Sequence, residues 1–397
     1  MNTKYTALAA ALIACGTMPG LALAQSMPQF KFSGFGTVAA VHSNDSTSDF
    51  VGSRFQPNGA GASRSTSLAP DTKLGAQLNA TFTDKFSGVL QVVSQHQYDN
   101  SFTPKVEWAN LKYQITPEFS VRAGRIAAPS YLLSESRFVG YSYTWARPPE
   151  ETYDVLAITS NDGVDATWRT QIGGANNAVQ AFVGKSSVKI GGGNDVKSKP
   201  SWGINDSVEI GSLTLRAGYN SFKLDLGVDS VKPLLAAAGA MGLAGIAEKY
   251  KLNDMKLSAV ALGASYDPGD WFVMAEYVDF KGAGFLSNAK SWYVSGGYRF
   301  GSLTPYVSFA SITADITPET AAGPLNASIT STLYSFNSAQ KTRAVGVRWD
   351  AMTNVAFKVQ YEHLSTGDNS SGRLKSAAGF VPGKGVNVAT VAVDFVF

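Results

Sequence analysis

The chain has 397 residues, of which 16% are charged and 44% hydrophobic. A mean hydropathy of −0.03 with so little charge excludes a disordered chain and a helical membrane protein, and a formal net charge of +3 is too small to argue for a nucleic-acid partner. The 39 glycines, together with abundant Ser, Thr, Asn and aromatic residues, suit an all-β protein with many turns.

Lys4, the apolar run Tyr5 to Ala14, the breaker Pro19-Gly20 and the small-x-small site Ala22-Leu23-Ala24 predict an export signal over residues 1–24. Leu12-Ile13-Ala14-Cys15 offers an alternative, a lipoprotein processing box, which would leave the apolar Leu21 to Ala24 on the mature chain. Cleavage before Gln25 discards the single cysteine and with it disulfide and thiolate chemistry. Residues 25–397 then form one domain. No later apolar run reaches the roughly 20 residues a spanning helix needs.

What repeats instead is period-2 alternation in segments of roughly 10 residues. In 73–83, Leu74, Ala76, Leu78, Ala80 and Phe82 share one face, while Lys73, Gln77, Asn79 and Thr81 share the other. Strands are predicted at 29–41, 72–83, 86–97, 105–115, 119–126, 163–173, 178–188, 200–210, 213–225, 256–267, 270–281, 290–300, 303–314, 341–350, 354–365 and 386–397, about 16 in all. Every second connection is tiny, as at Asp84-Lys85, Gly211-Ser212 and Gly301-Ser302. The intervening ones are mostly long. Short turns on one side and long loops on the other predict a transmembrane antiparallel β-barrel of the bacterial outer membrane, because a soluble sandwich has no reason to sort its loops.

The third long loop, 127–162, is rich in Tyr, Trp and Pro and is expected to fold into the lumen and narrow it. The fifth, 226–255, contains Pro233 to Ala247, predicted as a short helix capped by Asp229 or Ser230. The spacing of Gly239, Gly242 and Gly245 there suggests close packing against the barrel mouth.

At the C-terminus, Val391, Val393, Phe395 and Phe397 alternate with Thr390, Ala392 and Asp394. A terminal aromatic preceded by apolar residues at every second position resembles the assembly signal of Gram-negative outer-membrane barrels, carried here by Phe397, Phe395 and Val393. With the strand count and the entry Val121-Arg122-Ala123-Gly124-Arg125 into a long third loop, almost the whole mature chain resembles the 16-stranded porin superfamily. The resemblance implies a homotrimer in outer-membrane lipid and lipopolysaccharide, inserted by the barrel-assembly machinery. It implies passage of small hydrophilic solutes through water-filled pores, with no cofactor.

Sixteen strands enclose a lumen too wide for side chains to fill, so inward positions are expected to be polar. Parity turns Lys31, Lys73, Lys112, Arg122, Arg169, Arg216, Arg299, Arg348 and Lys358 inward, with Asp165, Glu209, Glu276 and Glu362. Asp206, Arg125 and Arg343 fall on the other parity and suit a rim, a bulge or a subunit contact. The third loop carries Glu135, Glu150, Glu151, Asp154 and Asp162 against Arg137 and Arg147, a net of −3. A constriction is therefore expected between Lys73, Lys112, Arg122 and Arg125 on the wall and Glu135, Arg137, Arg147, Glu150, Glu151 and Asp154 on the loop. In the competing reading, Arg137, Arg147, Glu150 and Glu151 pair with one another to pin the loop. Tyr131, Tyr141, Tyr143, Trp145 and Tyr153 form either a stacking track for solutes or the loop's own packing.

Passive diffusion is the leading function, with an anion- or phosphate-selective channel as the alternative. An outer-membrane hydrolase finds little support: no Ser has a local His partner pattern, and His42, His96 and His363 show no metal-ligand spacing. Gly34-Phe35-Gly36-Thr37-Val38-Ala39 lacks the strand and helix a dinucleotide site requires, and Gly191 to Asn194 lacks the ending of a phosphate loop.

Overall fold

Alternation over segments of this length can bury one face only if the strands pair into a sheet, and here the sheet closes on itself. The computed structural model describes residues 27–155 and 158–397; the export signal and Cys15 lie outside them. The barrel strands are β1 (Gln29–Ser43), β2 (Lys73–Thr81), β3 (Phe86–Gln95), β4 (Lys105–Gln114), β5 (Phe119–Ala127), β6 (Ser160–Ile172), β7 (Ala175–Gly191) and β8 (Asn194–Ile210). They continue as β9 (Leu213–Gly227), β10 (Met255–Tyr266), β11 (Trp271–Lys281), β12 (Ala289–Tyr298), β13 (Leu303–Ala314), β14 (Gln340–Met352), β15 (Val355–Thr366) and β16 (Gly385–Val396). Each pairs antiparallel with its sequence neighbours. β1 closes the ring by pairing Thr37 with Asp394 on one side and Gly34 with Ala76 on the other. Closure removes every sheet edge, which a lipid environment demands.

All sixteen predicted strands are present. The largest difference is at β7 and β8, which run 17 residues each and are joined by Gly192-Gly193 alone, where a loop of eleven residues, 189–199, had been expected. Gly191, Gly192 and Gly193 all take positive φ (86°, 60° and 78°), so the chain reverses within two residues.

The alternation is inverted relative to a soluble sandwich. Leu74, Trp168, Leu262, Val345 and Val391 lie exposed on the outer surface, whereas Thr37, Asn205, Thr390 and Asp394 are buried inside. Lipid makes that arrangement favourable: the apolar side chains meet hydrocarbon, whereas an ionised group on that face would cost roughly 2–4 kcal/mol at the midplane. Among the described residues no helix is long and apolar enough to cross a membrane; the strands cross it. The off-parity charges are each accommodated. Asp206 accepts a 2.6 Å bond from Asn177, Arg125 pairs with Asp162, and Arg343 lies opposite His363 toward the long-loop end. Beside the short turns, Phe82–Phe86, Tyr298–Phe300 and Trp349–Phe357 form ring pairs at 5.3, 4.7 and 5.5 Å, an interfacial girdle.

Two expectations are corrected. The inner wall is not uniformly polar. Phe222, Leu224, Leu257, Ala259, Val278, Phe280 and Tyr293 face inward on β9 to β12, because the third loop covers that half of the wall and keeps it dry. The fifth loop forms two helices, α2 (Lys232–Ala240) and α3 (Ala244–Lys249), broken at Gly242 (φ 73°). Its first cap position is Val231, without a side-chain bond, since Asp229 and Ser230 lie in a preceding 3-10 turn. Gly239, Gly242 and Gly245 face open space; Ala238 and Ile246 make the contacts instead, toward Phe285, Ile329 and Leu333. Lys249 and Tyr250 clamp Glu319 of the seventh loop at 2.6 Å each, and the Lys249 bond foremost holds that carboxyl down at about 2.

Candidate functional site: a loop docked across the lumen

Residues 128–155 leave β5 and cross the barrel, and 158–159 lead into β6. Pro148-Pro149 stiffens the turn into the four-residue helix α1 (Glu150–Tyr153). The wall holds the loop with its own side chains. Near the root, Arg216 donates to the Pro129 carbonyl at 2.8 Å. Glu276 accepts from the Leu132 amide at 2.9 Å and from the Tyr153 and Tyr293 hydroxyls. On the far wall, Arg348 donates to the Tyr141 and Tyr143 carbonyls at 2.7 and 3.0 Å, and Lys358 to those of Gly140 and Trp145 at 2.8 and 2.7 Å. Returning, Thr159 donates to Glu107 at 2.9 Å.

The aromatics serve this docking. Tyr131, Tyr143, Trp145 and Tyr153 are all buried, and Trp145 meets Tyr293 edge-on at 5.7 Å while its indole N–H reaches Ser295 at 2.7 Å. They pack on the apolar half of the wall and offer no free rings to a solute; Tyr141, half-buried, stacks under Arg348 at 4.7 Å.

The charged residues singled out in the sequence are distributed between anchors and passage. Arg147 is buried and bonds Asp71 of the first loop, Glu362 of β15 and Thr390 of β16. Glu151 accepts from Gln340 at 2.7 Å and from Thr342. Asp154 accepts from Arg54 at 3.2 Å and Arg373 at 3.3 Å. These loop charges therefore pair with wall and neighbouring loops rather than with one another. Arg137 donates to the Tyr153 carbonyl at 3.3 Å, and Lys73 to the Tyr143 hydroxyl at 3.3 Å. Arg122 chelates Asp165 and reaches the exposed Glu135 at 3.1 Å, so wall base and loop acid touch. Arg125 bonds Asp162 at 2.7 and 2.8 Å.

Glu150 stands apart. Its Oε1 is buried with no hydrogen-bond partner. Burial holds its carboxyl well above the ordinary range, opposed by Arg147 and reinforced by Asp154 and Glu362. A docked loop thus keeps a proton that a released loop gives up. Docking is fully favourable below the ordinary value of 4.5 and weakens as pH rises through the elevated one. Single-channel records should show loop-dependent current noise growing with pH above that value. Glu150→Gln should flatten the dependence; an unaltered profile in the variant would refute this assignment.

Along β2 to β9 the loop leaves two cavities open. Above the loop, toward the long-loop side, a cavity of about 560 Å³ is lined by Lys73, Lys105, Glu107, Arg137 and Asp154 among others. Toward the short turns, a second of about 270 Å³ is lined by Lys112, Arg122, Glu135, Arg169 and Arg216. Arg169 and Arg216 were legible as inward charges but not as constriction residues, because only the path of the loop selects which inward charges remain wet. Among the described residues no group of His, Cys, Asp and Glu is arranged to hold a metal ion.

Comparison with known proteins agrees with this architecture. No curated protein matches the sequence. By structure, the chain is similar to OmpF of Salmonella typhi (14% identity, 93% of this chain and 97% of that one, TM-score 0.57). It is similar to the outer-membrane channel DcaP of Acinetobacter baumannii (13%, 95% and 100%, 0.57) and to the anion-selective porin of Comamonas acidovorans (12%, 93% and 100%, 0.54). The sequence model of Gram-negative porins matches residues 7–370, and with a closed sixteen-stranded barrel and an in-folded third loop the chain belongs to that family, as an outer-membrane channel for passive diffusion.

Proposed function

We propose that the channel prefers anions. The carrying observation is the lower cavity: Lys112, Arg169 and Arg216 line it without a carboxylate bonded to any of them among the described residues. Of the loop acids, by contrast, Glu151 and Asp154 are buried against partners, and Glu135 and Asp162 are each paired with a wall arginine. In a narrow opening with low-dielectric walls, unpaired fixed cations raise the local anion concentration. The basic wall thus favours the anion-selective reading over unselective diffusion. In a KCl gradient the reversal potential should report chloride preference. Lys112→Gln, Arg169→Gln and Arg216→Gln together should move it toward potassium, as should neutralising Arg122 and Arg125, which frees Asp165, Glu135 and Asp162. A wild-type channel preferring potassium would defeat the proposal.

In the same reading the chain is exported by residues 1–24, inserted through the terminal strand, and assembled as a homotrimer in lipid and lipopolysaccharide. It catalyses no reaction. Phe397 and Phe395 support the role of the terminal strand: their rings lie over Gly34 and Gly36 of β1, where any Cβ would collide at 2.2 and 2.3 Å. The last residues thereby lock to the first strand.

A further inference from the structure

The apolar half of the inner wall extends beyond what the third loop covers. Leu224 on β9, Leu257 on β10 and Phe280 on β11, with Ile158 of the third loop and Phe336 of the seventh, line an open cavity of about 450 Å³ on the long-loop side. That volume lies within the ~300–1,000 Å³ of small-molecule sites. A channel for hydrophilic solutes has no use for a dry wall there.

The first and eighth loops place three cations at this cavity: Arg54, Arg373 and Lys375. Among the described residues Asp154 is the only carboxylate bonded to them, by Arg54 and Arg373. Arg373 is 4% exposed, yet its Nε and Nη2 have no hydrogen-bond partner. Lys375 forms no ion pair among the described residues, and burial foremost, then Arg54, pushes its ammonium below the usual lysine range. Buried donors left idle mark a missing acceptor.

An apolar wall beside unfilled guanidinium and ammonium donors has one matching ligand chemistry. A hydrophilic anion leaves the wall unmatched; a neutral apolar molecule leaves Nε and Nη2 of Arg373 and the Lys375 ammonium without an acceptor. We propose that this vestibule cavity binds small amphipathic anions, an aromatic or branched aliphatic carboxylate being the class that fits. The cavity shares Phe55 and Val188 with the larger one that leads past the loop. A bound solute therefore stands at the entrance to the passage, ahead of Lys112, Arg169 and Arg216. The inference rests on the channel reading and names its solute class.

The test compares three probes, 4-phenylbutyrate, 4-phenylbutanol and acetate, on wild-type barrels. Added on the long-loop side at equal concentration, only phenylbutyrate should interrupt single-channel KCl current. Calorimetry with barrels in lipid nanodiscs should show phenylbutyrate binding, weakened about tenfold in Lys375→Gln, the loss expected of one charge-assisted hydrogen bond, and restored in Lys375→Arg. Equal responses to phenylbutyrate and acetate, or full-strength binding in Lys375→Gln, would overturn the site. KCl current without calorimetric binding sinks the site alone. Binding in barrels that pass no current upholds the site and sinks the channel reading.

Discussion

Arg147→Ala should release the third loop from the wall and raise single-channel conductance. Arg147 is 5% exposed and donates to both oxygens of Asp71, at 2.9 and 3.0 Å from Nε and 2.6 Å from Nη2. It also reaches Glu362 and Thr390, and its guanidinium lies 4.5 Å from the Phe50 ring centre. The substitution leaves Asp71 and Glu362 buried without their cation. Removing one partner of a buried pair costs roughly 3–5 kcal/mol, far more than the pair itself contributes over apolar replacements. The structure relieves that penalty by letting water in from the cavity that Asp71 and Arg147 border. The loop, having lost its bonds to the first loop, β15 and β16 there, lifts at its tip. Conductance should rise and become noisier, and protease should cut near residues 140–150. Arg147→Lys keeps the charge but not the planar fork that serves three acceptors, so it should fall between. A variant with wild-type conductance and protease resistance would place the grip elsewhere, on Lys358 and Arg348.

The strands were legible because lipid makes the period-2 pattern nearly obligatory: an outward charge costs too much to be scattered at random. That pressure fades beyond the bilayer. Residues 189–199, at the protruding end of β7 and β8, mix Lys, Asp, Ser and Gly without alternation, and so read as a loop although they pair. The third loop was legible as an anomaly of length and composition, but its contacts were not. Arg147 meets partners 76 and 215 positions away, and Glu151 one 191 away; nothing local encodes such pairings. One signal for the dry half of the wall was present and unread. In Trp271 to Phe280 both parities are mostly apolar: Trp271, Val273 and Tyr277 outward against Asp279, and Phe272, Met274, Val278 and Phe280 inward against the single acid Glu276. A strand wetted on its inner face would not carry that pattern. It marks where something apolar covers the lumen side, here the loop's aromatics and the vestibule cavity.

Asp394→Ala should lower the temperature at which the barrel loses its β-sheet circular dichroism, by more than the loop substitution Gly140→Ala does. Asp394 and Lys358 are both wholly inaccessible, with Nζ and Oδ2 2.8 Å apart. Thr37 donates to the other oxygen of Asp394 at 2.5 Å, so the pair joins β15, β16 and β1, the seam at which the ring closes. Lys358 spends its remaining donors on the carbonyls of Gly140 and Trp145. The alanine variant strands a buried ammonium at the seam, again at roughly 3–5 kcal/mol. Lys358→Met with Asp394→Leu removes both charges and should recover most of that loss, because the pair's desolvation disappears with it. The double variant should still loosen the loop, since the two carbonyls lose their donor. Gly140→Ala separates the effects from the other side. Its Cβ would stand 2.0 Å from Asp394 Oδ1 and 2.5 Å from Thr37 Oγ1, so the loop tip must move while the ion pair persists. That variant should change conductance with a much smaller change in unfolding temperature. Should Asp394→Ala unfold with the wild type, the seam would draw its stability from the strand ladder alone, and the buried pair would serve only to hold the loop.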